Sequence, residues 1–383
     1  MEHARKTRML GLTSKRAFSS HVEIFDFFSC RSFSWGLHDR HASHTRLSTT
    51  LLYSAFAAAA MSTASQACAK IMGVIKVVRA GVARPFGDER TVNQAFPNPI
   101  SAEEADPFLM CDNFAMMSEG KASHEDEFPV GWHPHRGMDL LSYIKQGVGR
   151  HGDSMGNRET FETPGLQWIS AGSGIEHAEG GGTDAGEVMG GFQIWINVPS
   201  VRKMDDPRYG THPPSDIPQI VLAEGAMARL LAGQLGDDGE SKSEVVGPFR
   251  TVANVSVVDF ELEPGSALET TIPHGLNTAL LYIYEGSATQ INGHPAPTQT
   301  IVQLDATDDT ARGLSFVAGE DGFAAILFAG ERLNEPIAWR GPIVMNTNEE
   351  LQQCFTELRS GRFPPKRVPW DYRVAAQGRA GKT

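Results

Sequence analysis

From residue 71 onward, apolar residues come in runs of five to eight that are cut off by Gly, Pro, Asp or Asn. That punctuation leaves room for strands and for almost no helix. GVIKVVRAGVA (73–83), DLLSYIKQG (139–147), GLQWISAG (165–172), GFQIWINV (191–198) and ALLYIYEGSATQI (279–291) all follow this grammar. The stretches 192–198 and 281–284 are rich in β-branched and aromatic residues, which suit a half-buried pleated surface. One segment breaks the pattern: NTNEELQQCFTELRSG (346–361) has Thr347 or Asn348 to cap, acids in its first turn, and Leu351, Phe355 and Leu358 at helical spacing. The chain reads as all-β with a short C-terminal helix.

The strands fall into two groups, separated by the Pro-, Asp- and Gly-dense stretch 197–219. YIKQGVGRH (143–151) and YIYEGSATQI (282–291) each run strand, turn, strand, the faint internal repetition expected of two β-barrels of one type. The expected organisation is an extension over 1–70, a first barrel over 71–210, a second over 211–363, and a tail over 364–383.

Charge separates the extension from the rest. Residues 1–70 hold nine basic and four acidic groups, a balance of +5, and the remaining 25 basic and 42 acidic groups give −17. Rich in Arg, Ser and His, the extension has the bias of a mitochondrial or plastid transit peptide; a poorly ordered tail, or a true start at Met61 or Met72, explains it equally. The acidic remainder repels phosphate backbones, so direct nucleic-acid binding is not expected. The longest apolar run, Leu51 to Met61, holds eleven residues, short of the ~20 a membrane span needs. Four cysteines without a close pair exclude a disulfide-stapled fold and a thiolate zinc knuckle.

Chemistry concentrates in two short pairs. His133 and His135 stand one residue apart in WHPHRG, and His177 and Glu179 repeat the spacing in GIEHAE. On a strand, period 2 puts both members of a pair on one face. Two such pairs on facing strands would offer three imidazoles and one carboxylate, a set suited to Fe(II), Mn(II), Ni(II) or Zn(II). Glu179 also has a rival role as an acid that orients an imidazole, and a glutamate there is a competent base for a hydroxyl. Gln167 and Gln193 lie on strands beside the pairs, able to reach a substrate or to pair with backbone. His151, in RHGDSMGN, reads as packing rather than ligation, and His124 as a solvated loop residue. Trp132, Trp168 and Trp195 read as core, with room for one on a pocket wall. Cys111 and Cys354 lack a His/Asp apparatus for nucleophilic work. His274 and His294 stand alone, so the second half is expected to be metal-free.

These residues, with DPFLMCDNF (106–114), HPHRGMDLLSYIKQG (133–147), HGDSMGNR (151–158), GLQWISAGSGIEHAE (165–179), GFQIWINVPSVRKMDDPRY (191–209) and PHGLNTALLYIYEG (273–286), resemble the pirin family of the cupin superfamily. The stretch 328–363 resembles that family's carboxyl-terminal signature, and the likeness covers about 73–363. It implies a bicupin of two antiparallel double-stranded β-helix (jelly-roll) barrels packed face to face. One iron would sit in the first, held at His133, His135, His177 and Glu179. Some family members have quercetin 2,3-dioxygenase activity on a small hydroxylated aromatic; others serve as transcription cofactors or bind signalling proteins. The resemblance also implies cytoplasm or nucleus, against an organelle if the extension is a transit peptide, and two packed barrels can stand as a monomer. Two departures mark this chain. Leu166 replaces an acid in the family's turn before Gln167, and Met138 replaces a usual Phe, which would reshape a substrate pocket.

Overall fold

The computed structural model describes residues 69–81, 84–86, 90–117, 128, 130–181, 188–236 and 245–374. The extension through residue 68, with its transit-peptide reading, and His124 lie outside the described residues. The first strands are β1 (Val74–Arg79), β2 (Arg84–Phe86), β3 (Arg90–Phe96), β4 (Phe108–Met117), β5 (Val130–His135), β6 (Met138–Gln146), β7 (Gly149–Asp153), β8 (Arg158–Phe161), β9 (Gly165–Ser170), β10 (Ile175–Gly181), β11 (Val188–Asn197) and β12 (Arg208–His212). They are followed by β13 (Gln219–Ala223), β14 (Ala226–Ala232), β15 (Val255–Leu262), β16 (Ala267–Thr271), β17 (Thr278–Ile291), β18 (His294–Pro297), β19 (Thr300–Leu304), β20 (Gly313–Gly330), β21 (Ala338–Arg340) and β22 (Ile343–Met345). A one-turn helix α1 (Ala102–Ala105) precedes β4, and α2 (Asn348–Arg359) follows β22. The expected helix is α2, entered through a capping box in which Thr347 and Glu350 satisfy one another's backbone N–H.

Three layers result. A four-stranded sheet, β5-β10-β7-β8, faces a seven-stranded sheet, β12-β9-β6-β11-β4-β3-β2, whose other side packs on a nine-stranded sheet running β1-β19-β17-β20-β15-β14-β13, with β16 and β18 attached. Strand β6 shows how alternation builds the stack. Leu141 and Tyr143 join Val257, Leu280 and Phe328 in the core between the two large sheets, whereas Ser142 and Ile144 point to the other side, where a cavity opens. A second core lies on the far face of the nine-stranded sheet, with Val258, Phe260, Leu281 and Leu327. At Gly286 (φ 63°), β17 bends against β20 so closely that a Cβ would stand 2.2 Å from the Gly322 carbonyl.

The expectation of two closed jelly-roll barrels is corrected by this topology. Each sheet is open: its hydrogen-bonded order runs from one edge strand to another and does not return to its start. Edges that a closing strand would need are occupied by distant parts of the chain. At the end of β5, Arg136 bridges to Ile343, and its carbonyl accepts the Val344 N–H at 3.1 Å. Strand β1 lies antiparallel on β19, so the first strand of the described chain closes one margin of the nine-stranded sheet. Residues 338–374 travel the opposite way, back onto the first half. Gly137 (φ 78°) admits them, since a Cβ there would meet the Val344 carbonyl at 2.0 Å. The tail continues along the outside of the four-stranded sheet, where Tyr372 and Arg373 both bond to Glu176 and the Val368 N–H reaches the Ser154 carbonyl at 2.9 Å.

Arg136 fixes this return. Its guanidinium, 2 % exposed, donates to the Ser173 carbonyl at 2.7 Å and to Glu357 Oε2 on α2 at 2.6 Å, over the ring of Phe363. Removing the carboxylate leaves a buried cation without its counter-charge, at a cost of about 3 kcal/mol. Glu357→Leu is therefore expected to lower the urea midpoint by that amount of stability, and a shift below ~1 kcal/mol would show the pair to be dispensable.

A buried acid ties the seven-stranded sheet to the connection that precedes β15. Asp139 is fully buried, and its Oδ2 accepts the Val252 N–H at 2.7 Å. Burial pushes its carboxyl up to about 6, against about 3.9 in an unfolded chain. The folded protein thus holds this proton more tightly, and its stability from this group is lost as pH rises from about 4 through about 6. Asp139→Asn should gain stability relative to the wild-type protein across that window, read as the difference in urea midpoint at the two ends.

Candidate metal centre

Strands β5 and β10 carry the two pairs, and they are neighbours. His177 lies directly opposite His133, and Ile175 opposite His135, in an antiparallel register that is interrupted by a bulge before Glu179. Residues opposed across a ladder share a face, and so do residues two apart along a strand. All three imidazoles therefore converge, with ring centroids 4.3 Å (His133–His177), 4.9 Å (His133–His135) and 5.0 Å (His135–His177) apart. One ring nitrogen from each lies within 4.8 Å of the other two.

The donors fit a metal ion. His133 Nδ1 lies 2.8 Å from the Gly131 carbonyl, which takes its N–H and turns Nε2 free as a donor atom. His135 and His177 are almost wholly buried, yet neither ring nitrogen of either has a hydrogen-bond partner among the described residues. Buried polar atoms without partners are costly, and a shared cation would satisfy one nitrogen of each ring. Burial, with His133 alongside, holds both imidazoles well below their ordinary pKa, so they are neutral, the form that ligates. Three imidazoles with a carboxylate near by suit a borderline divalent transition metal; nothing in the set selects one ion.

Glu179 stands beside this group. Its Oε2 lies 4.0 Å from His177 Nδ1 and accepts from Gln167 Nε2 at 3.0 Å, with Ser142 Oγ at 3.4 Å. Ser142 has one hydroxyl proton, and the nearer acceptor is Gln193 Oε1 at 2.5 Å. The carboxylate, the imidazoles of His133 and His135, and both glutamines line one cavity of about 470 Å³ between the four- and seven-stranded sheets. The rest of its wall is largely apolar, with Met110, Phe114, Ile144, Phe161 and Trp195.

Gln167 and Gln193 both line this cavity. Met138 does not: it is fully buried with Leu109, Leu140, Ile175 and Val344 and is not on the cavity wall, because the returning C-terminal hairpin covers it. Of the three tryptophans, Trp195 lines the cavity, edge-on to His135 at 5.3 Å. His151 is buried, bonded through Nε2 to Asp153 at 3.0 Å and stacked on Tyr209 at 4.0 Å. Its ring centroid is 5.6 Å from that of His177, and it is not a member of the three-histidine cluster. Ser142 and Asp112 were missed. The signal was a polar break in each apolar run, Ser142 in LLSYI and Asp112-Asn113 in FLMCDNF, but its direction depends on strand register. Cys111 and Cys354 are buried, which raises both thiols and keeps them protonated. In the second half, His274 is paired with Asp309 at 2.8 Å on the surface, and His294 is exposed. No helix among the described residues is long and apolar enough to cross a membrane.

Comparison with known proteins agrees with these features. The family described as Pirin matches residues 89–196, and the Pirin C-terminal cupin domain matches residues 257–364. A Pseudomonas aeruginosa protein provisionally named a quercetin 2,3-dioxygenase is 33% identical over 265 residues, covering 68% of this chain and 88% of that protein. A pirin-like protein of Solanum lycopersicum is 34% identical over 296 residues, covering 76% and 92%. The crystal structure of a quercetin 2,3-dioxygenase from Acinetobacter baumannii superposes with a TM-score of 0.66 at 26% identity, over 77% of this chain and 99% of that one. With the histidine cluster inside the first matched segment, on its four-stranded sheet, this chain belongs to the pirin family of the cupin superfamily.

Proposed function

We propose that His133, His135 and His177 hold one divalent transition metal ion, iron(II) first, and that the cavity beside them takes a flavonol-like substrate for oxygen-dependent ring cleavage. The observation that carries this reading is the position of Glu179: a carboxylate at the edge of the imidazole group, facing a largely apolar cavity. When bound, such an ion supplies Lewis acidity toward a substrate oxygen and a redox partner for O₂.

The chain's own residues do the rest. Met110, Phe114, Ile144 and Phe161 give an aromatic ring apolar walls and exclude water. Gln167 fixes the Glu179 carboxylate, so that its oxygen is oriented before substrate arrives. Glu179 takes the proton of the substrate's ring hydroxyl onto Oε, leaving the electron pair on the hydroxyl oxygen and an electron-rich ring. Net ring cleavage of a flavonol consumes one O₂ and releases one CO. The proton-transfer step is checked by mixing quercetin with metal-loaded full-length protein without oxygen. Deprotonation is expected to move the flavonol's absorption band to longer wavelength, and a spectrum of bound but unshifted quercetin would contradict the base role.

A further inference from the structure

Each of the three clustered histidines has a neighbour in the chain that the C-terminal segment grips from the other side of the sheet. Period 2 turns these neighbours away from the histidines, onto the outer face of β5 and β10. Beside His135, Arg136 bonds to Glu357 of α2 at 2.6 Å and lies over the ring of Phe363. Beside His133, Trp132 packs against the ring of Tyr372, with centroids 5.3 Å apart. Beside His177, Glu176 accepts from the Tyr372 hydroxyl and, through both its oxygens, from Arg373 Nη2 at 2.7 Å.

Residues 363–373 thus form a strap across the back of the strands that carry the histidines. The Val368 N–H bonds to the carbonyl of Ser154, which follows Asp153, the residue opposite His177 on β7. Arg158 on β8 donates to the Tyr372 carbonyl at 3.0 Å. Gly156 (φ 89°) lets the strap lie close, since a Cβ there would stand 3.0 Å from the Trp370 ring. The two ends of the strap are held differently. Arg136 is wholly buried, whereas Arg373 is half-exposed, and Glu176 and Tyr372 lose most of their exposure to this contact. Lifting the last residues would return the Glu176 carboxylate to water instead of stranding it, so this end can open while the Arg136 anchor stays closed.

We infer that the strap is a reversible clasp coupled to the metal, with Glu176, Tyr372 and Arg373 as positioning residues for the imidazoles. An ion shared by His133 and His177 draws β5 and β10 together from the inner face; Tyr372, touching Trp132 and Glu176, bridges the same two strands from behind. Ion and closed strap favour one arrangement, so each must strengthen the other by the same factor. Groups that orient metal ligands typically change metal affinity 10–100-fold when they are lost. The inference rests on the metal reading of the histidine cluster and adds a control on metal retention.

The test uses Zn(II) and full-length protein, with Tyr372→Ala/Arg373→Ala as the open-strap variant. Zinc affinity is read by competition with a chromophoric chelator. Strap opening is read as the initial rate of tryptic cleavage after Lys366 and Arg367, followed by mass spectrometry; with brief openings this rate tracks the open population. The double variant is expected to be cleaved faster at these sites and to bind Zn(II) about tenfold more weakly. Saturating Zn(II) should slow cleavage of the wild-type strap by about the same factor and leave His177→Ala unaffected. A strap that only adds stability would lower the unfolding temperature of the variant without moving either readout. Wild-type cleavage that Zn(II) does not slow, or a faster-cleaved variant that keeps its zinc affinity, overturns the coupling while the metal reading stands. Failure of the wild-type protein to bind Zn(II) overturns both.

Discussion

Glu179→Gln is expected to keep its metal and lose its turnover. The three imidazoles that gather within 4.8 Å of one another do not include this residue, and the glutamine amide has nearly the same shape as the carboxylate. What the amide cannot do is take a proton. A positioned general base contributes about 10²–10⁴-fold, so turnover of quercetin should fall at least 100-fold. Metal content after dialysis should stay at the wild-type level. Equal loss of both would mean that Glu179 is needed to hold the ion, and the separate base role would be wrong. Measuring metal by mass spectrometry on the same samples used for kinetics separates the two outcomes.

His177→Ala should do the reverse. With a buried imidazole gone, the donors left are His133 and His135 on one strand, and bound metal should drop from one per chain to a small fraction of that. A second readout is thermal. A ligand bound only to the folded state stabilises it by RT ln(1 + [L]/Kd), about 4 kcal/mol at a thousandfold excess over Kd. Added Fe(II) or Zn(II) should therefore raise the unfolding temperature of the wild-type protein and leave that of the variant nearly unchanged. Without metal, the two should unfold at similar temperatures. His177 has both ring nitrogens buried and unpartnered, so removing them offsets part of the cost of the space left behind. A variant that keeps a full complement of metal would show that the ion is held elsewhere.

The clustering of the three histidines was legible in the sequence because it depends on local rules. Period 2 along β5 and β10 put His133 beside His135 and His177 beside Glu179, whatever the rest of the chain did. The strand content and helix α2 were legible for the same reason, through turn residues and a Thr–Glu capping box. Barrel closure is a long-range matter. Whether an edge strand finds a partner depends on what else reaches that edge, and here the hairpin at 338–345 and strand β1 do so from far along the chain. Met138 failed as a pocket residue for that reason too, since Val344 packs over it. That Asp112, Gln193, Ser142 and Gln167 stand opposite one another on β4, β11, β6 and β9 is set by register between strands, information that no single strand's pattern contains.

The most direct measurement is of gas balance. Full-length protein, purified without oxygen and loaded with Fe(II), is given quercetin and a limited amount of O₂, with the His177→Ala protein as control. The account expects one CO released per O₂ consumed by the wild-type protein, and neither change in the control. Verified iron-loaded protein that binds quercetin, consumes no O₂ and releases no CO would contradict it.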